Sequence, residues 1–291
     1  GGGGGGGGGV NRAAHRGLVT GAVHAGGMLV TTGWDDMLRF SELYDTEDTA
    51  GQSVAEVALG GQPRCLAAAA GTGLVAVAVG GDARPGVRVH RAAAPFEEVW
   101  GAALDHEPSA VALSPAGDEV VVGSKTGAVH AYALDLDLPG GGGGAAAAAA
   151  AGAAPTPIGA LPEGAHRAEI TALAYSPDGA LLAVGDASRA INVWERGSWA
   201  PKVKGFWVHH TARVNSLAWH PEGRLLASGA LDSNVFIWSL DKPRKRVQYQ
   251  FAHKDGVAAV GWLGPGHLVT AGADHCVCHW ATEADAAEAF K

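Results

Sequence analysis

The sequence predicts an all-β fold, a ring of repeated four-stranded sheets, and three observations predict it. Tryptophans close three similar segments at Trp194, Trp238 and Trp280, spaced 44 and 42 residues apart. Histidines open the same segments at His166, His210 and His253, spaced 44 and 43 residues apart. Between each histidine and its tryptophan the chain reads as three short strands separated by turns. In Phe206 to Trp238, the stretch Val214 to Trp219 alternates apolar with small or polar residues, and Pro221 to Gly223 makes a turn. Leu225 to Ser228 follows, Gly229 to Ser233 turns again, and Asn234 to Trp238 closes the unit. A lone three-stranded meander cannot bury both faces, so it needs neighbours of its own kind.

A period of about 40–45 residues with four strands per unit is the signature of a WD-repeat β-propeller. Six repeats are recognisable, near 13–41, 62–90, 108–132, 165–194, 208–238 and 251–280. The second is degenerate, with strands expected over Arg64 to Ala70, Leu74 to Val79 and Gly86 to His90. Gly1 to Gly9 is a low-complexity leader with nothing to pack. Pro139 to Pro157 runs from glycine through alanine to Ala-Pro-Thr-Pro, without caps or an amphipathic face, and reads as a loop inserted between the third and outer strands of repeat three. Thr282 to Phe290 reads as an outer strand or a frayed helix. An open ring leaves blade faces unpacked, so either six blades close it or a seventh lies upstream of Val10; the expectation is six recognisable blades of a seven-bladed ring.

Composition narrows the function. A chain of 291 residues holds one large all-β domain with a substantial core. The net charge of −8 disfavours nucleic acid or an anionic membrane as the main partner. No apolar run reaches the ~18 residues of a membrane span, and no signal-peptide pattern is present. Three cysteines, Cys65, Cys276 and Cys278, do not make a disulfide scaffold, which points to a soluble, reducing compartment.

The polar residues recur with the repeat. His210, Ser228, Asp232 and Trp238 form one expected structural tetrad, and His253, Thr270, Asp274 and Trp280 another. In each, the carboxylate accepts from the imidazole, the hydroxyl bridges, and the indole N–H finds an acceptor. Repeat four keeps His166 and Trp194 but has Val184 and Ser188 at the other two places; repeat one keeps His15, Thr31 and Asp35 but has Ser41 for the tryptophan. A Ser/His/Asp trio invites a hydrolase reading, yet it recurs once per repeat and no G-x-S-x-G elbow is present. The expected product is therefore not an enzyme, with no catalytic set and no cofactor. Asp274 to His279 resembles a metal cluster, but alternation sends its cysteines and histidines to opposite faces. Gly123 to Gly127 resembles a phosphate loop, but it lacks the motif order and a following helix. Lys242 to Arg246 is the one concentrated basic run, an import signal or docking patch on one reading and a charged outer-edge strand on the other. Trp34, at a turn between strands, sits where partner anchors are enriched, or packs on the next blade.

Particular stretches resemble one family: Thr31-Thr-Gly-Trp-Asp-Asp-Met-Leu-Arg-Phe40, Gly179 to Ser188, His209 to Trp219, and Ala259 to Leu263. They resemble actin-interacting protein 1, a double-propeller WD-repeat family, and specifically its C-terminal propeller over Val10 to Trp280. The resemblance implies a non-enzymatic module that works with cofilin on actin filaments, promotes their disassembly and resides on the cytoplasmic cytoskeleton. It also implies two seven-bladed rings in about twice this length, and the Gly/Ala run is foreign to the pattern. Arg167, Arg213 and Lys254, with Trp34, are the candidate partner contacts, or else solvated loop residues. A WD-repeat scaffold of an axonemal or ubiquitin-ligase assembly is the alternative.

Overall fold

The computed structural model describes residues 15–42, 53–69, 71–81, 85–134, 157–283, 286 and 289–291. The glycine leader and residues 139–156 of the inserted run lie outside them. Alternating sequence becomes six antiparallel sheets laid out in chain order. The first blade pairs β1 (Val19–Ala25), β2 (Met28–Gly33), β3 (Met37–Glu42) and β4 (Ser53–Ala58). The second holds β5 (Gln62–Ala69), β6 (Leu74–Gly80), β7 (Gly86–Arg91) and β8 (Glu98–Ala103), close to the expected strands despite its degenerate motif. The third holds β9 (Pro108–Leu113), β10 (Glu119–Ser124) and β11 (Val129–Ala133), with β12 (Gly159–Ala160) joining β11 from beyond the insertion. The fourth has β13 (Ile170–Tyr175), β14 (Leu181–Asp186), β15 (Ile191–Glu195) and β16 (Pro201–Trp207). The fifth has β17 (Val214–Trp219), β18 (Leu225–Ala230), β19 (Val235–Ser239) and β20 (Arg246–Tyr249). The sixth has three strands, β21 (Val257–Gly264), β22 (His267–Gly272) and β23 (Val277–Ala281).

The basic run is mostly turn, since only Arg246 of it enters β20. The segment after β23 takes helical bonds, with Ala286 N–H donating to Thr282 O and Phe290 N–H to Ala286 O. Of its two readings, the helix is the one adopted.

Each core cluster spans two adjacent blades. Ala183, Ile191 and Val193 of the fourth pack against Val214, Leu226, Phe236 and Trp238 of the fifth. Ala227, Val235 and Ile237 of the fifth meet Val257 and Leu268 of the sixth. Burying such a side chain is worth ~1.5–3 kcal/mol, so blade-on-blade stacking carries the fold. Close stacking selects glycine in the second strands. A Cβ on Gly229 would stand 2.4 Å from Val257 Cγ1, and one on Gly123 would stand 2.5 Å from Ile170 Cγ2.

The first strand of each blade packs against that of the next, from β1 through β5, β9, β13 and β17 to β21. These strands therefore line the axis, and the fourth strands form the perimeter. A β21–β1 contact is not among the substantial ones, and a seventh sheet is not present among the described residues. Val235 in the fifth blade is fully buried, whereas Val277 at the same register in the sixth is 73% exposed.

Candidate binding face

A recurring main-chain bond defines one end of the ring. The turn after the second strand donates to the residue just before the first strand: Trp34 N to Leu18 O, Ala187 N to Glu169 O, Leu231 N to Arg213 O and Ala273 N to Gly256 O. In these four blades both loops thus open on the same side.

Beneath this end lie the polar networks. In the fifth blade His210 Nδ1 lies 3.0 Å from Asp232 Oδ2, His210 Nε2 lies 2.8 Å from Ser228 Oγ, and Trp238 Nε1 donates to that oxygen at 2.8 Å. Because the carboxylate only accepts, Nδ1 carries the ring proton, and the hydroxyl donates to Nε2 while accepting from the indole. The sixth blade repeats this, with His253 at 3.0 Å from Asp274 and 2.8 Å from Thr270, and Trp280 donating to Thr270 at 2.9 Å. In the first blade His15 reaches Asp35 at 2.7 Å and Thr31 at 2.9 Å. There Arg39 adds its guanidinium to Asp35 at 3.1 Å.

The carboxylates also fix the exposed loops. Asp232 Oδ2 accepts from Thr211 N, Asp274 Oδ2 from Lys254 N and Asp35 Oδ2 from Arg16 N. Burial pushes the Asp232 carboxyl up, but hydrogen bonds from His210 and from the Thr211 and Asn234 amides outweigh it and hold the group at about 2. Asp35 and Asp274 are lowered for the same reasons.

The fourth blade has Val184 and Ser188 at the hydroxyl and carboxylate places, as the sequence reads, and finds its carboxylate elsewhere. His166 Nδ1 takes it from Asp186, at 2.7 Å, two residues before Ser188. Ser188 donates to the other oxygen of Asp186 at 2.7 Å, and Asn192 approaches His166 Nε2 at 3.3 Å. The signal was an acidic residue closing β14 just before the turn. With Val184 at the hydroxyl position, Trp194 Nε1 is buried without a hydrogen-bond partner. In the second and third blades the histidine place, four residues before the inner-strand register, is filled by buried Leu59 and Leu104. Register puts His90 and Tyr132 in the tryptophan place. Both ring nitrogens of His90 lack partners; burial and the nearby Arg88 charge lower it to about 4.

Above these networks the loops carry the candidate contacts. Trp34 is 59% exposed, and Leu231, at the same turn position in the fifth blade, is 53% exposed. Arg167, Lys254 and Arg16 directly follow their histidines and are exposed, while Arg213 sits two residues further on, immediately before β17. Glu107 instead engages Arg64 at 2.6 Å and Lys125 at 2.9 Å. Asp36, Asp105 and Asp255 intersperse the cations. His275 and Cys276 are exposed in a turn, and His279 pairs with His267 across β22 and β23 at 3.0 Å. No group of three or more potential metal ligands converges among the described residues.

Comparison with known proteins matches the WD domain, G-beta repeat, model over residues 156–195, 202–239 and 244–281. The last three blades thus carry WD repeats. It is 34% identical to the 66 kDa stress protein of Physarum polycephalum, over 91% of this chain and 39% of that protein. It is 30% identical to WD repeat-containing protein 1-B of Xenopus laevis, over 87% of this chain and 37% of that protein. Actin-interacting protein 1-2 of Arabidopsis thaliana is 28% identical over 59% of this chain and 25% of its own length. The chain thus spans less than two fifths of the length of the first two of these relatives, 39% and 37%, and resembles the WD repeat-containing protein 1 and actin-interacting protein 1 group.

Proposed function

We propose that this WD-repeat chain is a non-enzymatic module that engages cofilin-bearing actin filaments and promotes their disassembly. The contacts are made at the ring end that carries Trp34, Arg167, Arg213 and Lys254. The observation that carries the reading is the pair of exposed apolar residues, Trp34 and Leu231, at one turn position on an end studded with loop cations. Aromatic anchors flanked by cations suit an acidic protein surface, and the relatives' names supply actin as the partner class. The non-enzymatic reading draws on the Ser/His/Asp sets, which repeat from blade to blade and whose hydroxyls are buried, as at Ser228 and Thr270. Association with the cytoskeleton follows from the same relatives; no helix among the described residues is long and apolar enough to cross a membrane.

The reading includes a seventh sheet between the sixth and first blades. It is supported by the exposed apolar residues Val277 and Leu263 on one side of the gap and Val19 on the other. Co-sedimentation with actin filaments, with and without cofilin, tests the proposal. Cofilin-dependent pelleting of the chain, lost in Trp34→Ala and Arg213→Glu, supports it. Pelleting only by a longer chain continued upstream of Gly1 moves the contact to the added blades. No pelleting by either transfers the chain to the scaffold reading.

A further inference from the structure

The perimeter carries a feature that the ring end does not explain. Between β15 and β16 the register slips twice, so that Val203 opposes Val193 and Trp207 opposes Ile191. The extra residues Lys204 and Gly205 bulge out, with Gly205 at φ 78° and its N–H on Asn192 Oδ1 at 3.2 Å. A bulge re-aims side chains, and this one turns Phe206 outward, 44% exposed, while Trp207 turns in. Trp207 Nε1 donates to Pro243 O at 3.0 Å, and Lys245 N donates to Lys242 O at 2.9 Å. The turn of the fifth blade is thereby fixed against the outer strand of the fourth. Between them lies a pocket of about 270 Å³ walled by Phe206, Lys242, Pro243, Arg244 and Lys245.

Its chemistry is two-part. The walls are the Phe206 ring, the proline ring and the methylene stems of the basic side chains, an apolar concavity for one large side chain. The rim is cationic. Arg244 lies over the Phe206 ring at 5.7 Å, Lys204 over Trp194 at 5.7 Å and Arg246 over Phe236 at 6.0 Å. Lys242 turns its ammonium to the main-chain oxygen of Lys291. Among the described residues no carboxylate forms an ion pair with Lys204, Arg244, Lys245 or Arg246; the nearby acids Glu195 and Asp241 pair with Lys202 and Arg224. Arg244 and Lys245, which line the pocket, are thus unmatched cations on a chain whose net charge is −8.

We propose that this perimeter pocket docks an acidic peptide segment that buries one apolar side chain against Phe206. The unmatched rim selects acidic flanks, and the pinned turn preorganises the pocket. A lipid surface fits less well, because the aromatic lines a concavity beneath Arg244 rather than projecting from it.

The test is fluorescence anisotropy of the full chain with a labelled peptide in which one phenylalanine is flanked by glutamates. Comparison probes are the same peptide with alanine at the centre, one with lysine flanks, and phosphatidylserine vesicles. Saturable binding of the first peptide is expected. Alanine at its centre, Phe206→Ala or Lys245→Glu should each weaken it about tenfold, the loss of one well-placed anchor or charge contact. Lys245→Glu alters only an exposed turn side chain, so its melting temperature should match the parent and separate lost binding from lost folding. Equal affinity for the alanine-centred peptide would mean charge attraction without a pocket and overturns the proposal. So does absence of saturable binding, or binding to vesicles alone.

Discussion

Trp238 Nε1 donates to Ser228 Oγ across 2.8 Å inside the fifth blade, where the serine is fully buried and the tryptophan 1% exposed. The same oxygen faces His210 Nε2, so one hydroxyl closes two polar groups that water cannot reach. Ser228→Ala is expected to leave the indole N–H and the imidazole nitrogen unpaired, at a cost of ~1–3 kcal/mol. Urea unfolding checks this. A change under ~0.5 kcal/mol would show that the network relaxes without its bridge.

Asp186 carries a second prediction. It pairs with His166 at 2.7 Å with both side chains almost fully buried, and it also accepts from Ser188 Oγ and Ala190 N. Asp186→Ala removes three hydrogen bonds to a charged acceptor, and the one from the buried imidazole alone is worth ~1.5–3 kcal/mol. Ser188→Ala removes one donor and leaves the pair, so its effect should be near ~1 kcal/mol. Thermal melts that rank Ser188→Ala above Asp186→Ala in damage would give the central role to Ser188.

The two residues show what could be read in advance. Strand positions follow from alternation and turn chemistry, properties of adjacent residues, so β17, β6 and β7 lie where their patterns put them. Asp186 reaches the imidazole from the end of a strand instead of from the turn, and fixed motif spacing cannot express that choice. Leu59 and Leu104 replace histidine with an apolar plug, which reads in sequence as any other core leucine. The cations Arg167, Arg213 and Lys254 were visible, but Leu231 joined Trp34 only once register equated their turns. The Lys204–Gly205 bulge depends on how two strands pair, and nothing local in the sequence marks it.

Acid should weaken the fold in two stages. His90 is lowered to about 4 from a free value near 6.5, so between these pH values the unfolded chain binds the extra proton and stability falls as pH drops. Asp232, held at about 2 against a free value near 3.8, likewise stabilises above the free value and loses that contribution as pH falls from about 4 to about 2. At 1.36 kcal/mol per pH unit these shifts correspond to an upper bound of ~3–4 kcal/mol for His90 and ~2–3 kcal/mol for Asp232. His90→Leu also removes two unpaired buried nitrogens. Urea midpoints at pH 7 and pH 4.5 should fall less in this variant than in the parent, and equal falls would clear His90 of the first stage.

Trp194 supplies the last prediction, with a sign opposite to the usual one. Putting a hydroxyl in a core, as in Val→Thr, normally destabilises because the new group finds no partner. Val184 lies at the register of Ser228 and Thr270, beside a buried Trp194 indole N–H that has no acceptor and near His166 Nε2, which meets only Asn192 at 3.3 Å. In the fifth and sixth blades a hydroxyl at this register serves both groups at 2.8–2.9 Å. Val184→Thr keeps the volume and supplies the missing bridge, so it should stabilise the chain by ~0.5–1.5 kcal/mol. The hydroxyl bonds donor and acceptor at once only if His166 keeps its proton on Nδ1, toward Asp186. Asp186→Ala removes the group that holds that tautomer and should abolish the gain, making the double-mutant cycle non-additive. A lower melting temperature for Val184→Thr alone would mean that Asn192 already satisfies the imidazole and that the fourth blade has no room for the bridge.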